Sequence, residues 1–286
     1  MNRILKINLH DILRSRLGGW KRILIPGFAI SLLERIIHQD ELNEILEVTY
    51  PAVGKEFSRR VYNHLNLKLE AGGLDKLAGD SRYIFASNHP LGGLDGIGLI
   101  KLLGGKYGDE GIRFIVNDML MNVEPLRNVF LPVNKYGSQR HEAAALINEA
   151  YESDRHIIIF PAGLVSRLKD NGEISDLEWQ KSFILKAIAY KRDIVPVTFH
   201  GLNRRRFYKI ARLRKKLGIK FNIEQILLPS EVCASRGNHY RVEFGSPISW
   251  QTLQQWRQAG ESPQQIAESL RLLCIPSDSH SPECRK

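Results

Sequence analysis

Cysteine is scarce in this chain. Among 286 residues only Cys233, Cys274 and Cys284 occur, an odd number confined to the C-terminal fifth. No Cys-x-x-Cys pair and no Cys/His spacing accompanies them, so neither a disulfide framework nor a zinc site is expected, and a reducing compartment is the simpler setting. Long apolar runs are missing too. No window reaches the roughly 18 uninterrupted apolar residues that a membrane-spanning helix needs, and the nearest approach, Ile23 to Leu33, is broken by Pro26-Gly27. Met1 to His10 carries charge without an apolar centre, unlike a secretory signal, and Asn2 stands where myristoylation would need glycine. A membrane, if the protein meets one, is met at its surface. Also absent are Gly-x-Ser-x-Gly, His-Glu-x-x-His, a Walker loop and a dinucleotide glycine fingerprint, which removes the commonest hydrolase, metalloprotease and nucleotide-binding readings.

Positive charge, in contrast, is abundant. Lysine and arginine number 41 against 31 acidic residues, a net charge of +10, which favours anionic partners such as a phospholipid surface, an acidic carrier or nucleic acid. For nucleic acid there is no RNP-type aromatic motif and no zinc-finger spacing.

From about Asn8 to Asn66 the pattern is helical, with Phe28, Leu32, Leu33, Ile36 and Ile37 at the spacing of one helix face. Ahead of them Arg14, Arg16, Lys21 and Arg22 surround Leu13, Leu17 and Trp20, a combination that suits either an interfacial membrane anchor or a helical subdomain with a solvated basic face. From Tyr83 onward the texture changes to short β-branched runs alternating with helical stretches. Strands are expected over Tyr83 to Ala86, Arg113 to Val116, His156 to Phe160, Ile194 to Thr198 and Tyr240 to Phe244. Helices are expected over Gly96 to Leu103, Glu142 to Ser153, Trp179 to Tyr190 and Pro263 to Leu273. The alternation predicts an α/β fold, a mixed, largely parallel sheet flanked by helices, with an N-terminal helical region. The expected organisation is a helical membrane-docking region over 1–80, an α/β domain over 81–275 and a disordered tail over 276–286.

The strongest chemical signal is Ser87-Asn88-His89-Pro90-Leu91-Gly92-Gly93-Leu94-Asp95-Gly96. Residues six apart on a regular helix point roughly 120° away from each other, so His89 and Asp95 meet only if the chain turns between them, as Gly92 and Gly93 permit. Asp95 would then hold one imidazole nitrogen and leave the other to take a proton from a substrate hydroxyl, with Asn88 bracing the loop. The competing structural reading makes His89 and Asp95 capping residues of the helix that follows.

These residues resemble the first block of the glycerolipid acyltransferase family, which includes the lysophospholipid acyltransferases. Its signature is a histidine and an aspartate separated by four residues; here five separate them. Other blocks follow in order. Val129 to Lys135 resembles the second block, with Lys135 near the place of an arginine associated with the acceptor's phosphate. Phe160-Pro161-Ala162-Gly163-Leu164-Val165-Ser166-Arg167 resembles the third, Phe-Pro-Glu-Gly-Thr-Arg-Ser, and Asp193 to Val197 the fourth. The match spans roughly residues 80 to 200. In the third block Ala162, Leu164 and Val165 replace glutamate, threonine and arginine, and Arg167 lies two residues beyond the family arginine. Taken alone, that stretch also fits a plain strand-to-loop junction.

The resemblance implies an O-acyltransferase that moves a fatty acyl group from a thioester to the free hydroxyl of a lysolipid, with His89 as general base and Asp95 as its orienter. It implies neither metal nor bound cofactor, and a co-substrate that is acyl carrier protein or acyl-CoA. Asn88, Lys135, Gly163 and Arg167 are the candidate substrate-binding residues, with loop amides around Gly163 as oxyanion donors. The altered third block favours a lyso-aminolipid, of the ornithine- or glycine-lipid type, over lysophosphatidate. A catalytically silent lipid-binding protein is the alternative from another class.

The last feature is Arg204-Arg205-Arg206 and the basic helix it opens, with Phe207, Ile210, Leu213 and Leu217 on one side. Trp20, Arg204, Arg205 and Arg206 are the candidate membrane-binding residues, and the expected place of the protein is cytoplasmic, peripheral on the inner face of the cell membrane.

Overall fold

A computed structural model describes residues 6–9, 27–78, 81–133, 140–219 and 222–276. Its centre is a seven-stranded sheet. Strands β1 (Lys68–Gly72), β2 (Tyr83–Ser87), β3 (Ile112–Asn117), β4 (Phe130–Val133), β5 (His156–Ile159), β8 (Asp193–His200) and β9 (His239–Phe244) run in the spatial order β1-β9-β8-β2-β5-β3-β4. The block β8-β2-β5-β3-β4 is parallel throughout, β9 pairs antiparallel with β8, and β1 pairs parallel with β9. The sheet is therefore mixed and largely parallel, as the alternation predicts. A two-stranded hairpin, β6 (Arg167–Leu168) with β7 (Ile174–Ser175), stands apart from it.

Strand β2 shows why the parallel block forms. Both of its faces are covered, so it reads as a continuous apolar run: Tyr83 and Phe85 enter one core cluster, Ile84 and Ala86 the other. The first cluster joins Phe57, Val61 and Tyr62 of α3 (Gly54–His64) to Leu94, Leu99 and Leu103 of α4 (Gly93–Tyr107). The second gathers Ile157 and Ile194 of the sheet with Phe183 of α6 (Ser182–Ala189), Leu253 of α9 (Trp250–Gln258) and Leu270 of α10 (Pro263–Leu273). The remaining helices are α1 (Gly27–Ile36), α2 (Gln39–Thr49), α5 (Arg140–Glu152), α7 (Arg205–Lys216) and α8 (Leu228–Ala234).

All five expected strands are present, and Pro263 to Leu273 is helical over the predicted span. The two strands without a sequence signal are the sheet's edges. Strand β4 contains Pro132, whose missing N–H is tolerated at an edge, and β1 mixes Lys68 and Glu70 with small residues. Through β1 the sheet reaches back into the first eighty residues, where the sequence shows only helical periodicity. Helix α6 begins three residues later than expected, because Trp179 is held before it by Asp176.

Candidate active site

Strand β2 ends at Ser87, and the parallel strands beside it end on the same side, which is where loops of an open α/β sheet gather functional groups. Asn88 fixes the start of the loop. Its Nδ2 donates to the Phe199 carbonyl at 3.0 Å and its Oδ1 accepts from the Phe199 amide at 2.6 Å, so both ends of the side-chain amide are spent on β8. Asn88 thus braces the loop against β8. Gly92, at φ 86°, makes the turn; a side chain there would suffer both the positive φ and a 3.0 Å approach to Leu228.

This turn brings His89 and Asp95 together, with Nδ1 and Oδ2 3.0 Å apart. The same Oδ2 accepts from the amides of Leu91 at 2.9 Å and Gly92 at 3.2 Å, satisfying free N–H groups at the start of α4. Asp95 is the third residue of α4 rather than its N-cap, which is Gly92, so capping and imidazole contact coexist in one carboxylate. It is fully buried. With Nδ1–H donating to Asp95, the unprotonated nitrogen of the neutral ring is Nε2, which is the form a general base requires. The imidazole stacks on Phe160, centroids 3.9 Å apart and 17° between planes, and Phe160 in turn meets Phe114 edge-on at 5.2 Å. Beneath, the Tyr62 hydroxyl donates to the Leu94 carbonyl at 2.9 Å and secures the first turn of α4. Burial, with the Asp95 carboxylate nearby, pushes the Tyr62 phenol well above its usual range.

The third block lies alongside. The Gly163 amide donates to the Phe160 carbonyl at 2.9 Å, so it is engaged within the loop and is not an oxyanion donor in this conformation. Ser166, which stands at the serine of the third block, donates its amide to the His89 carbonyl at 2.8 Å and its hydroxyl to Asp176 Oδ1 at 2.5 Å. Asp176 also accepts from the His89 amide at 3.1 Å and, through Oδ2, from the Trp179 indole at 2.9 Å. Burial raises its pKa, against the three hydrogen bonds and the neighbouring His89. Asp176 lies nine residues past Arg167, the end of the third block, with no periodicity to flag it.

Arg167 turns away from this centre. Its Nη2 meets Glu224 at 2.7 Å, Arg214 Nε approaches the other Glu224 oxygen at 2.9 Å, and the guanidinium lies 5.3 Å from the Phe207 ring. Burial lowers the Arg167 pKa, while Glu224 opposes the shift. Committed to a fully buried carboxylate, Arg167 serves packing and charge balance rather than a free anion site. Lys135 and Trp20 lie outside the described residues. Arg204 and Arg206 both reach Glu231, at 3.1 and 3.3 Å, and Arg205 is exposed. The first of these arginines is therefore mainly an anchor for α7, aided by Asn203 Nδ2, which donates to the Pro90 carbonyl at 3.1 Å.

A cavity of about 650 Å³ adjoins the loop, lined among others by Asn88, Pro90, Ser166, Asp176, Asn203 and Arg271. Neither His89 nor Asp95 lines it. Among the described residues no group of three His, Cys, Asp or Glu side chains could hold a metal ion, and no helix is long and apolar enough to cross a membrane.

Comparison with known proteins places the chain among acyltransferases. The chain is 43% identical over 249 residues to a lyso-glycine lipid O-acyltransferase of Phocaeicola vulgatus, covering 87% of this chain and 88% of the relative. It is 42% identical over 265 residues to the lyso-glycine lipid O-acyltransferase of Bacteroides thetaiotaomicron, covering 93% and 95%. The crystal structure of the 1-acyl-sn-glycerophosphate acyltransferase PlsC from Thermotoga maritima is also similar, at 13% identity and a TM-score of 0.48 over 93% of this chain and 90% of that one. A family model described as acyltransferase matches residues 16–272 and so takes in the sheet, the His89–Asp95 turn and the third block together: the chain belongs to the acyltransferase family.

Proposed function

We propose that this acyltransferase O-acylates a lyso-glycine lipid at a membrane surface. The observation that carries the acceptor is the 42–43% identity, over nearly the whole length, to two lyso-glycine lipid O-acyltransferases. Two features of the site support a headgroup other than glycerol phosphate. Ala162, Leu164 and Val165 offer no charge in the third block, and Arg167 at its end is bound to Glu224.

The reaction proceeds by general-base catalysis. His89 Nε2 takes the proton of the lysolipid hydroxyl as its oxygen attacks the thioester carbonyl. Asp95 keeps the proton on Nδ1 and stabilises the imidazolium that forms. The tetrahedral intermediate collapses, the carbon–sulfur bond breaks and the thiolate recovers a proton from His89. Charge balances at each step without a covalent enzyme intermediate, because the thioester is already activated. The acyl donor is acyl carrier protein or acyl-CoA, both acidic and suited to a chain of net charge +10.

The docking surface is α7, on the inner face of the cell membrane. Phe207, Tyr208 and Ala211 face the protein, while Lys209, Arg212, Lys215 and Lys216 are exposed with Leu213 and Leu217 one turn apart between them. Basic side chains around an exposed apolar pair fit an anionic headgroup layer with acyl chains beneath. Helix α1 adds exposed Phe28 and Leu32.

The test is acyl transfer from labelled acyl carrier protein and acyl-CoA to lyso-glycine lipid, a lyso-ornithine lipid and lysophosphatidate. The expected result is a kcat/KM for lyso-glycine lipid at least tenfold above that for lysophosphatidate. Equal or reversed preference would overturn the assigned acceptor.

A further inference from the structure

The His89 backbone is held on both sides by the same two residues. Its amide donates to Asp176 Oδ1, its carbonyl accepts from the Ser166 amide, and the Ser166 hydroxyl closes the ring onto that same Asp176 oxygen. All three side chains or loops belong to different stretches of chain: the turn after β2, the loop after β5 and the loop after β7. Asp176 and Ser166 are each at least 95% buried, so the ring is sheltered from water, where an unpaired member is costly. Every partner of Asp176 donates, and an ionised carboxylate, which only accepts, fits that set.

We infer that Asp176, with Ser166, is a positioning residue for the acyl transfer: it fixes the His89 imidazole relative to the loop that carries Gly163 to Val165. The inference rests on the reading of His89 as the base. Asp95 acts on the ring through Nδ1 and sets its tautomer, but it touches the loop from α4 only. Asp176 ties the histidine's main chain to the third block, and so sets the distance between the base and the place where a thioester bound along that loop would lie. Displacing a reacting group by about 1 Å costs on the order of 10²-fold in rate, and groups locked from behind by buried hydrogen bonds are the ones held within that tolerance.

The chemistry of the ring supplies a discriminating test. In Asp176→Asn the amide faces obligatory donors on both sides, the His89 N–H and the Trp179 indole N–H, and its own NH₂ must oppose one of them. Trp179→Phe removes the competing donor, so the asparagine oxygen is free to turn to His89 and Ser166. Steady-state transfer to lyso-glycine lipid is measured for wild type, His89→Ala, Asp176→Asn, Trp179→Phe and the Asp176→Asn/Trp179→Phe pair. The expected result is a kcat at least tenfold lower in Asp176→Asn, with KM for donor and acceptor within about twofold. In the pair, kcat should recover to within about threefold of Trp179→Phe alone. A residue needed only for stability would give the opposite, since the second core substitution would add to the damage of the first. A dead His89→Ala beside an unaffected Asp176→Asn, or a pair no better than Asp176→Asn, overturns the inference and leaves the base in place. Full activity in His89→Ala overturns both.

Discussion

Asp95 Oδ2 lies 3.0 Å from His89 Nδ1 while accepting the amides of Leu91 and Gly92. One buried oxygen therefore both builds the turn and orients the imidazole. Asp95→Asn keeps the shape but replaces an ionised acceptor, so the imidazole loses its fixed tautomer. The expected outcome is a kcat lower by on the order of 10²- to 10⁴-fold, with a melting temperature that falls by only a few degrees. Steady-state acyl transfer and a thermal scan on the same preparation check it; a kcat within threefold of wild type would remove Asp95 from the mechanism.

Much of this arrangement is legible from sequence because it is local. Tyr83 to Ala86 is a short continuous apolar run that reads as a buried strand, and Gly92-Gly93 lets His89 and Asp95 meet across a short turn. The five residues between His89 and Asp95 turn at the positive φ of Gly92. What sequence did not show is long-range. Asp176 is 87 residues from His89 along the chain and Glu224 is 57 from Arg167, and no periodicity links such pairs. The arginines illustrate the same limit. Arg167 and Arg204 look free in a basic sequence, yet each folds onto a buried carboxylate supplied from elsewhere.

Glu224 is fully buried between Arg167 and Arg214. Removing one member of a buried ionic cluster leaves the others uncompensated, at a cost of about 3–5 kcal/mol. Glu224→Gln should therefore lower the urea-derived stability by about 3 kcal/mol. A loss below about 1 kcal/mol would mean that solvent screens the cluster.

His156 is buried and accepts the Tyr83 amide through Nδ1 at 3.2 Å. Burial, reinforced by Arg192 and Lys106, pulls its pKa down from 6.5 to about 4. The folded protein thus binds this proton less readily than the unfolded chain, so stability present above pH 6.5 is lost as the pH falls toward 4. Chemical unfolding between those values should show a steeper acid loss for wild type than for His156→Gln. Parallel curves would remove His156 as the source.

On α7, Lys209, Lys215 and Lys216 are exposed, while Arg206 reaches Glu231 and Arg212 reaches Asp170. Lys209→Glu with Lys216→Glu should weaken binding to vesicles containing anionic lipid by tenfold or more at 0.1 M salt, each basic residue near the surface contributing about 1 kcal/mol. Leu213→Asp should weaken binding further. Co-sedimentation measures both, and unchanged binding would place the contact elsewhere in the chain.

The most direct measurement is the rate of labelled acyl transfer to lyso-glycine lipid by the wild-type protein and by His89→Ala, at equal folded concentration. Transfer that falls by at least 10²-fold in the variant, with vesicle binding retained, is the predicted result. Transfer that persists in His89→Ala would contradict a base at the end of β2.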